Sequence, residues 1–232
     1  MSLDARDADL VELMDDPACD PVQLRRTLRR FRTLNPLVSG WGRVYRTHIR
    51  PALAAASGPA RILDVGCGGG DVLRRVVAAA RRDGFAVEGV GVDPDARSIA
   101  VAEEAPPVAG VTYRRIDSAA LLREGARFDV VISNHVLHHL PADAVPGLLG
   151  ECAALASRIA VLSDIRRSRA AYAAYAVGIT PLAPGSFLRT DGLRSIRRSY
   201  TAAELAAVVP AGWVVERARP FRLLAVQRGD AA

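Results

Sequence analysis

The chain has 232 residues, half of them hydrophobic, enough for one well-buried α/β domain with accessory elements and too few for two large domains. Its net charge of +6 rests on arginine alone, since no lysine occurs, and with the abundant alanine this reads as a chain-wide compositional bias, so nucleic acid is not expected as a partner despite the basic balance. Three widely spaced cysteines, Cys19, Cys67 and Cys152, exclude a disulfide framework and a Cys-x-x-Cys zinc site, and no stretch approaches the roughly 20 apolar residues of a membrane-spanning helix.

The first residues, MSLDARDADLVELMDD, are acidic and lack the apolar run of a secretory signal, so a cytoplasmic protein, monomer or homodimer, is expected. Residues 1–57 carry leucine and valine at helical spacing in Leu10–Met14 and Val22–Leu34, and again Trp41, Val44, Tyr45 and Ile49, which predicts an N-terminal helical cap. The remainder, 58–232, alternates short β-branched runs with amphipathic segments, as in a parallel sheet covered on both faces by helices. Strands are predicted at Arg61–Val65, Ala86–Val92, Val111–Ile116, Phe128–Ser133, Arg158–Ser163, Trp213–Ala218 and Phe221–Gln227. A helix is predicted over Asp71–Arg82, with Asp71 as N-cap and Gly84 as its stop, and a second opening at Pro94.

Only Arg219-Pro220 separates the last two strands, too little for a parallel crossover, so they should form an antiparallel hairpin. Thr201-Ala-Ala-Glu204 is a capping box opening a short helix to Val209. The stretch 166–200 is longer than an ordinary connection and reads as a lid-like insertion, with a helix over Ala170–Val177 and then a Pro/Gly-rich loop.

The chemistry concentrates at Asp64-Val-Gly-Cys-Gly-Gly-Gly70, where a buried strand runs through a glycine-rich turn into a helix. Asp71 stands where the dinucleotide fingerprint needs its last glycine, and a chain without lysine has no Walker A loop. The segment resembles the first motif of class I S-adenosylmethionine-dependent methyltransferases, within them the ubiquinone/menaquinone-methylase-like small-molecule group. The resemblance implies a Rossmann-like seven-stranded, mostly parallel sheet with an antiparallel C-terminal hairpin strand. It further implies S-adenosylmethionine as cofactor and S-adenosylhomocysteine as product, with the ammonium of the methionine end on Asp64 and the loop of Gly66, Cys67, Gly68 and Gly70 beneath the cofactor. Asp93, followed by Pro94, ends the second strand like the family acid that accepts both ribose hydroxyls. Asp117 and Ser118 resemble the adenine contact, and Asn134 and His135 the segment after the fourth strand.

His135, His138 and His139 cluster just after that strand; no H-E-x-x-H motif or third ligand accompanies them, so no metal is expected. His138 and His139 are the candidates to take a proton from an acceptor hydroxyl. For the acceptor pocket the family uses its cap and insertions, which points to Trp41, Tyr45, Asp164, Tyr172 and Arg189, the last in an expected turn. The implied activity is methyl transfer to a small molecule, a phenol or quinol oxygen of a quinone, polyketide or other secondary-metabolite pathway. A nucleic-acid methyltransferase and a non-catalytic cofactor-binding protein are the alternatives.

Overall fold

A computed structural model describes residues 3–229, so the outermost residues of both expected regions, 1–2 and 230–232, lie outside it. Seven strands form one sheet in the order β3-β2-β1-β4-β5-β7-β6. They are β1 (Ala60–Val65), β2 (Val87–Val92), β3 (Val111–Arg114), β4 (Phe128–Asn134), β5 (Ala156–Ile165), β6 (Trp213–Ala218) and β7 (Arg222–Arg228). The first five pair in parallel, with Leu63 opposite both Val90 and Val131, whereas β7 lies antiparallel between β5 and β6, as the short hairpin connection requires.

The central strands are apolar on both faces because helices cover both. On one face, α2 (Trp41–Val44), a π-helical turn (Tyr45–Ile49), α3 (Arg50–Ala54) and α4 (Asp71–Arg82) pack on the sheet. The α4 stripe Val72, Leu73, Val76, Val77 and Ala80 is buried, each larger side chain contributing about 1.5–3 kcal/mol of transfer free energy. On the other face lie α6 (Ser118–Arg123), α7 (Val145–Leu155) and α10 (Ala202–Val208), the last opened by the Thr201/Glu204 capping box. Helix α5 (Ala96–Glu104) flanks β3.

Over the carboxyl ends of the strands sit α1 (Pro21–Val38), α8 (Arg169–Gly178) and α9 (Leu188–Arg198). The segment before α1 is largely non-helical, with one 3₁₀ turn at Leu13–Asp15. It is pinned by long-range bonds: Arg6 donates to the carbonyls of Leu140 and Arg198, and Leu13 and Met14 donate their N–H groups to Asp191.

Several local expectations change. Gly70, at φ +69°, takes the N-cap position of α4, and Asp71 makes no capping bond there. Helix α5 opens at Ala96 with Asp95 as its cap, so Pro94 lies before the helix. Strand β3 ends at Arg114. The expected Pro/Gly-rich loop of 166–200 holds the 11-residue α9, so Arg189, Asp191 and Gly192 are helical rather than a turn.

Candidate functional site

The strand order reverses between β1 and β4, the topological switch point at which ligands enter open α/β sheets. There, at the carboxyl ends of β1, β2 and β4, a cavity of about 860 Å³ opens, walled on its far side by α1, α8 and α9.

The turn after β1 shapes its floor. Gly66 has φ +67°, and a Cβ there would stand 2.5 Å from Val136 Cγ2, so only glycine fits both the backbone and the space. Asp64 is 1% exposed, and neither carboxylate oxygen has a hydrogen-bond partner; the Leu73 amide faces it and favours its charge without forming a hydrogen bond. Burial pushes this carboxyl well above the usual aspartate range, and the neighbouring Asp71 and Asp93 push it further. Asp71 is raised too, by burial, against the opposing pull of the Asn35 amide, which donates to both its oxygens at 3.2 and 3.0 Å. Burial likewise raises the Cys67 thiol, with Asp64 and Asp93 adding to the effect.

Asp93, just past β2, accepts from the Gly68 N–H at 3.0 Å and from the Asp95 N–H at 2.9 Å. One carboxylate thereby ties the glycine turn to the second loop and keeps lone pairs for further donors. Its pKa is raised by burial in spite of these two bonds. At the end of β4, Asn134 Oδ1 accepts from Trp41 Nε1 at 3.0 Å and from Arg222 at 2.8 Å. His135 adopts φ +64°, and its Nε2 lies 2.7 Å from an Arg222 nitrogen; because a guanidinium only donates, this nitrogen accepts and the imidazole is neutral. Burial and then Arg222 hold its pKa well below the ordinary histidine value.

His138 is 1% exposed. Its Nδ1 lies 2.8 Å from Asp164 Oδ1 and its Nε2 3.2 Å from Glu12 Oε1. Burial opposes its charge, but Asp164 and then Glu12 prevail and push it up to about 9, while Asp164 is depressed against its own burial by His138. His139 is partly exposed, its Nδ1 lying 3.1 Å from Asp15 Oδ2 and its Nε2 3.9 Å from Glu12 Oε2.

The structure brings Asp64, Gly66, Cys67, Gly68, Asp93, Pro94, Asn134, His135, His138 and His139 onto one cavity. Others stand apart. Gly70 shapes the turn without lining the cavity. Asp117 is exposed and caps α6 through the Ala120 N–H, and Ser118 Oγ donates to Glu151. Trp41 and Tyr45 are core side chains under the sheet, Tyr45 donating to Asp83. Asp164 holds His138 from behind, Arg189 is exposed on α9, and Tyr172 lies off the cavity, which Tyr175 lines instead.

Residues that the sequence reading passed over include Glu12, Asp15, Asn35, Asp71 and Arg222, all on the cavity wall. For Arg222 a signal existed: an arginine inside the apolar strand Phe-Arg-Leu-Leu-Ala-Val needs a buried partner. For Glu12 there was none, because its partners His138 and Ser195 are distant in sequence and meet it only in the fold.

The sequence profile described as "Methyltransferase domain" matches residues 62–158, the segment that carries β1 to β4 and the cavity floor. Among curated proteins, the ubiquinone biosynthesis O-methyltransferase of Rhizobium johnstonii is 38% identical over 82 residues, 34% of this chain and 31% of the relative, so the match spans less than a third of that protein's length. Two solved structures share the architecture over 90% of this chain. An O-methyltransferase family protein from Burkholderia thailandensis has a TM-score of 0.65 at 17% identity, with 60% of its own chain covered. The plantazolicin methyltransferase BpumL, solved with a pentazolic desmethylPZN analog and SAH, has a TM-score of 0.59 at 12% identity, with 97% covered. Residues 62–158 thus match the methyltransferase-domain profile, and the chain shares the Rossmann-like fold of these solved methyltransferases.

Proposed function

We propose that this chain transfers the methyl group of S-adenosylmethionine to a small molecule, with a phenol or quinol oxygen as the acceptor class. The observation that carries the reading is Asp64, a buried carboxylate with no hydrogen-bond partner, placed beside a glycine turn at the switch point. Such a group is costly to bury alone and suits a cationic partner, here the ammonium of the cofactor's methionine end. Bound there, S-adenosylmethionine supplies an electrophilic methyl group.

The chain's own work is then positional. Asp64 holds the ammonium, and Asp93 offers its remaining lone pairs to the two ribose hydroxyls. Gly66 and Gly68 keep side chains out of the approach, while Asn134 and His135 line the end of β4. An apolar wall that includes Phe31, Leu34, Val38, Ile179, Leu182 and Leu188 excludes water and suits a flat or aliphatic acceptor. The volume lies at the upper end of ordinary ligand pockets, about 300–1,000 Å³, which gives room for two small molecules together. His139, partly exposed on the cavity, is the side chain assigned to the acceptor's nucleophilic atom, and His138, held between Asp164 and Glu12, positions it from behind. An oxygen acceptor is supported by the O-methyltransferase names of the curated relatives.

Calorimetric titration with S-adenosylmethionine, S-adenosylhomocysteine and NADH tests the reading, followed by a screen of phenols and quinols for methylated product. Saturable binding of both sulfur compounds and not of NADH is expected. Binding of NADH alone, or of none of the three, overturns it.

A further inference from the structure

We propose that Glu12, His138 and His139 form a site for one divalent cation of the zinc class, open toward the cavity. The two imidazoles are consecutive on a 3₁₀ turn (Leu137–His139), with ring centroids 4.2 Å apart and planes tilted by 37°. Each has its Nδ1 against a carboxylate, Asp164 at 2.8 Å for His138 and Asp15 at 3.1 Å for His139. A carboxylate behind each ring holds its Nδ1–H and turns Nε2 toward the cluster, the outer-shell arrangement of metal-binding histidines, and an ion bound there would displace any proton on Nε2.

Both Nε2 atoms converge on one carboxylate. His138 Nε2 lies 3.2 Å from Glu12 Oε1, and His139 Nε2 lies 3.9 Å from Glu12 Oε2, with one ligand atom from each of the three residues all within 4.8 Å of one another. Metal–ligand bonds of about 2.0–2.1 Å in a tetrahedron place ligand atoms roughly 3.3–3.4 Å apart, so a set that lies within 4.8 Å must draw together around the ion by side-chain movement. His138 Nε2 is buried and outside hydrogen-bond geometry with every neighbour, Glu12 included. It is thus an unpartnered lone-pair or donor site aimed at the cluster.

Glu12 is itself fixed, accepting from Ser195 Oγ at 2.7 Å. The facing cations are Arg198, whose Nη1 lies 3.9 Å from Glu12 Oε1 and 3.1 Å from Asp15 Oδ2, and Arg222, which acts on Asp164; three carboxylates, Glu12, Asp15 and Asp164, outnumber them. A second grouping, His135, His138 and Asp164, is excluded because Arg222 already occupies His135 Nε2 and Asp164 already holds His138 Nδ1.

Two imidazoles and one carboxylate leave a fourth position for an exogenous oxygen, and all three residues line the cavity. An acceptor hydroxyl bound there would be oriented and made more acidic by the ion. That role rests on the methyl-transfer reading; the binding of the ion does not. The proposal departs from the expectation of no metal because its third ligand, Glu12, lies far upstream of the histidines, where no spacing motif would reveal it.

The test uses protein without a polyhistidine tag, stripped with EDTA and titrated with zinc chloride by calorimetry and with cobalt(II) by visible absorption, in parallel with S-adenosylhomocysteine. A single saturable equivalent is expected, together with intense tetrahedral cobalt bands. His139→Ala and Glu12→Gln should each weaken zinc by about tenfold or more while retaining S-adenosylhomocysteine binding. Protein that binds S-adenosylhomocysteine but no zinc, or variants that bind zinc like the parent, overturns the ion site and spares the methyl-transfer reading. Zinc binding without S-adenosylhomocysteine binding supports the site and removes the other. The cobalt spectrum of the unsubstituted protein decides the matter should a variant fail to fold, since an aquo-ion spectrum alone overturns the site.

Discussion

Asp64→Asn should stabilise the unliganded protein at neutral pH and weaken its cofactor, two effects of opposite sign from one side chain. The carboxyl is buried beside Asp71 and Asp93 with no hydrogen bond to either oxygen, so the folded state holds its proton to a higher pH than the unfolded chain does. A folded-state pKa above the unfolded one means that stability falls as pH rises through the interval between them, by at most about 1.4 kcal/mol per pH unit. Asparagine lacks this dependence. At about 2–4 °C per kcal/mol for a chain of this size, the melting temperature of the variant should match the parent near pH 4 and exceed it as the pH rises from there. Removing a charge-assisted hydrogen bond of about 1.5–3 kcal/mol should weaken S-adenosylhomocysteine roughly 10- to 150-fold. Thermal melts across pH with and without ligand, together with calorimetry, measure both effects. Parallel pH profiles for parent and variant, or unchanged affinity, would refute the reasoning.

Asp93→Ala removes the acceptor of the Gly68 and Asp95 amides and should weaken S-adenosylhomocysteine by about tenfold or more, one charge-assisted bond at about 1.5 kcal/mol; titration giving parent affinity counts against Asp93 as a ligand. Gly66→Ala places a Cβ 2.5 Å from Val136 Cγ2 at φ +67° and should cost about 1–3 kcal/mol in a denaturant melt, with a cost near zero contradicting the tight turn. Leu73→Ala empties a fully buried position under the sheet and should cost about 2–5 kcal/mol; a smaller loss would mean that α4 can collapse into the space.

How much of this was legible in the sequence depended on whether the determining contacts were local. The run from β1 through the glycine turn into α4, the strand Trp213–Ala218 and the Thr201 capping box are local, and periodicity or capping chemistry announces them. Helix α9 was hidden because its buried face mixes Leu188 and Ile196 with Asp191, Ser195 and Arg198, so its burial periodicity is only partly written in apolar residues. Those polar groups are satisfied by the N-terminal segment, Asp191 by the Leu13 and Met14 amides and Ser195 by Glu12, pairings at a separation that no spacing rule reaches. The same long-range folding keeps the segment around Glu12 from forming the helix its leucines and valines suggested. Asp64 and Asp93 could be singled out because each ends a strand beside a turn; Trp41 and Tyr45 misled because an aromatic at helical spacing packs a core as readily as it lines a pocket.

The most direct test of the central claim is a crystal structure of the protein grown with S-adenosylhomocysteine. The ligand is expected at the switch point between β1 and β4, its ammonium within hydrogen-bond distance of Asp64 and its ribose hydroxyls on Asp93. A ligand seated elsewhere, or seated there with Asp64 still unpartnered, would contradict that claim.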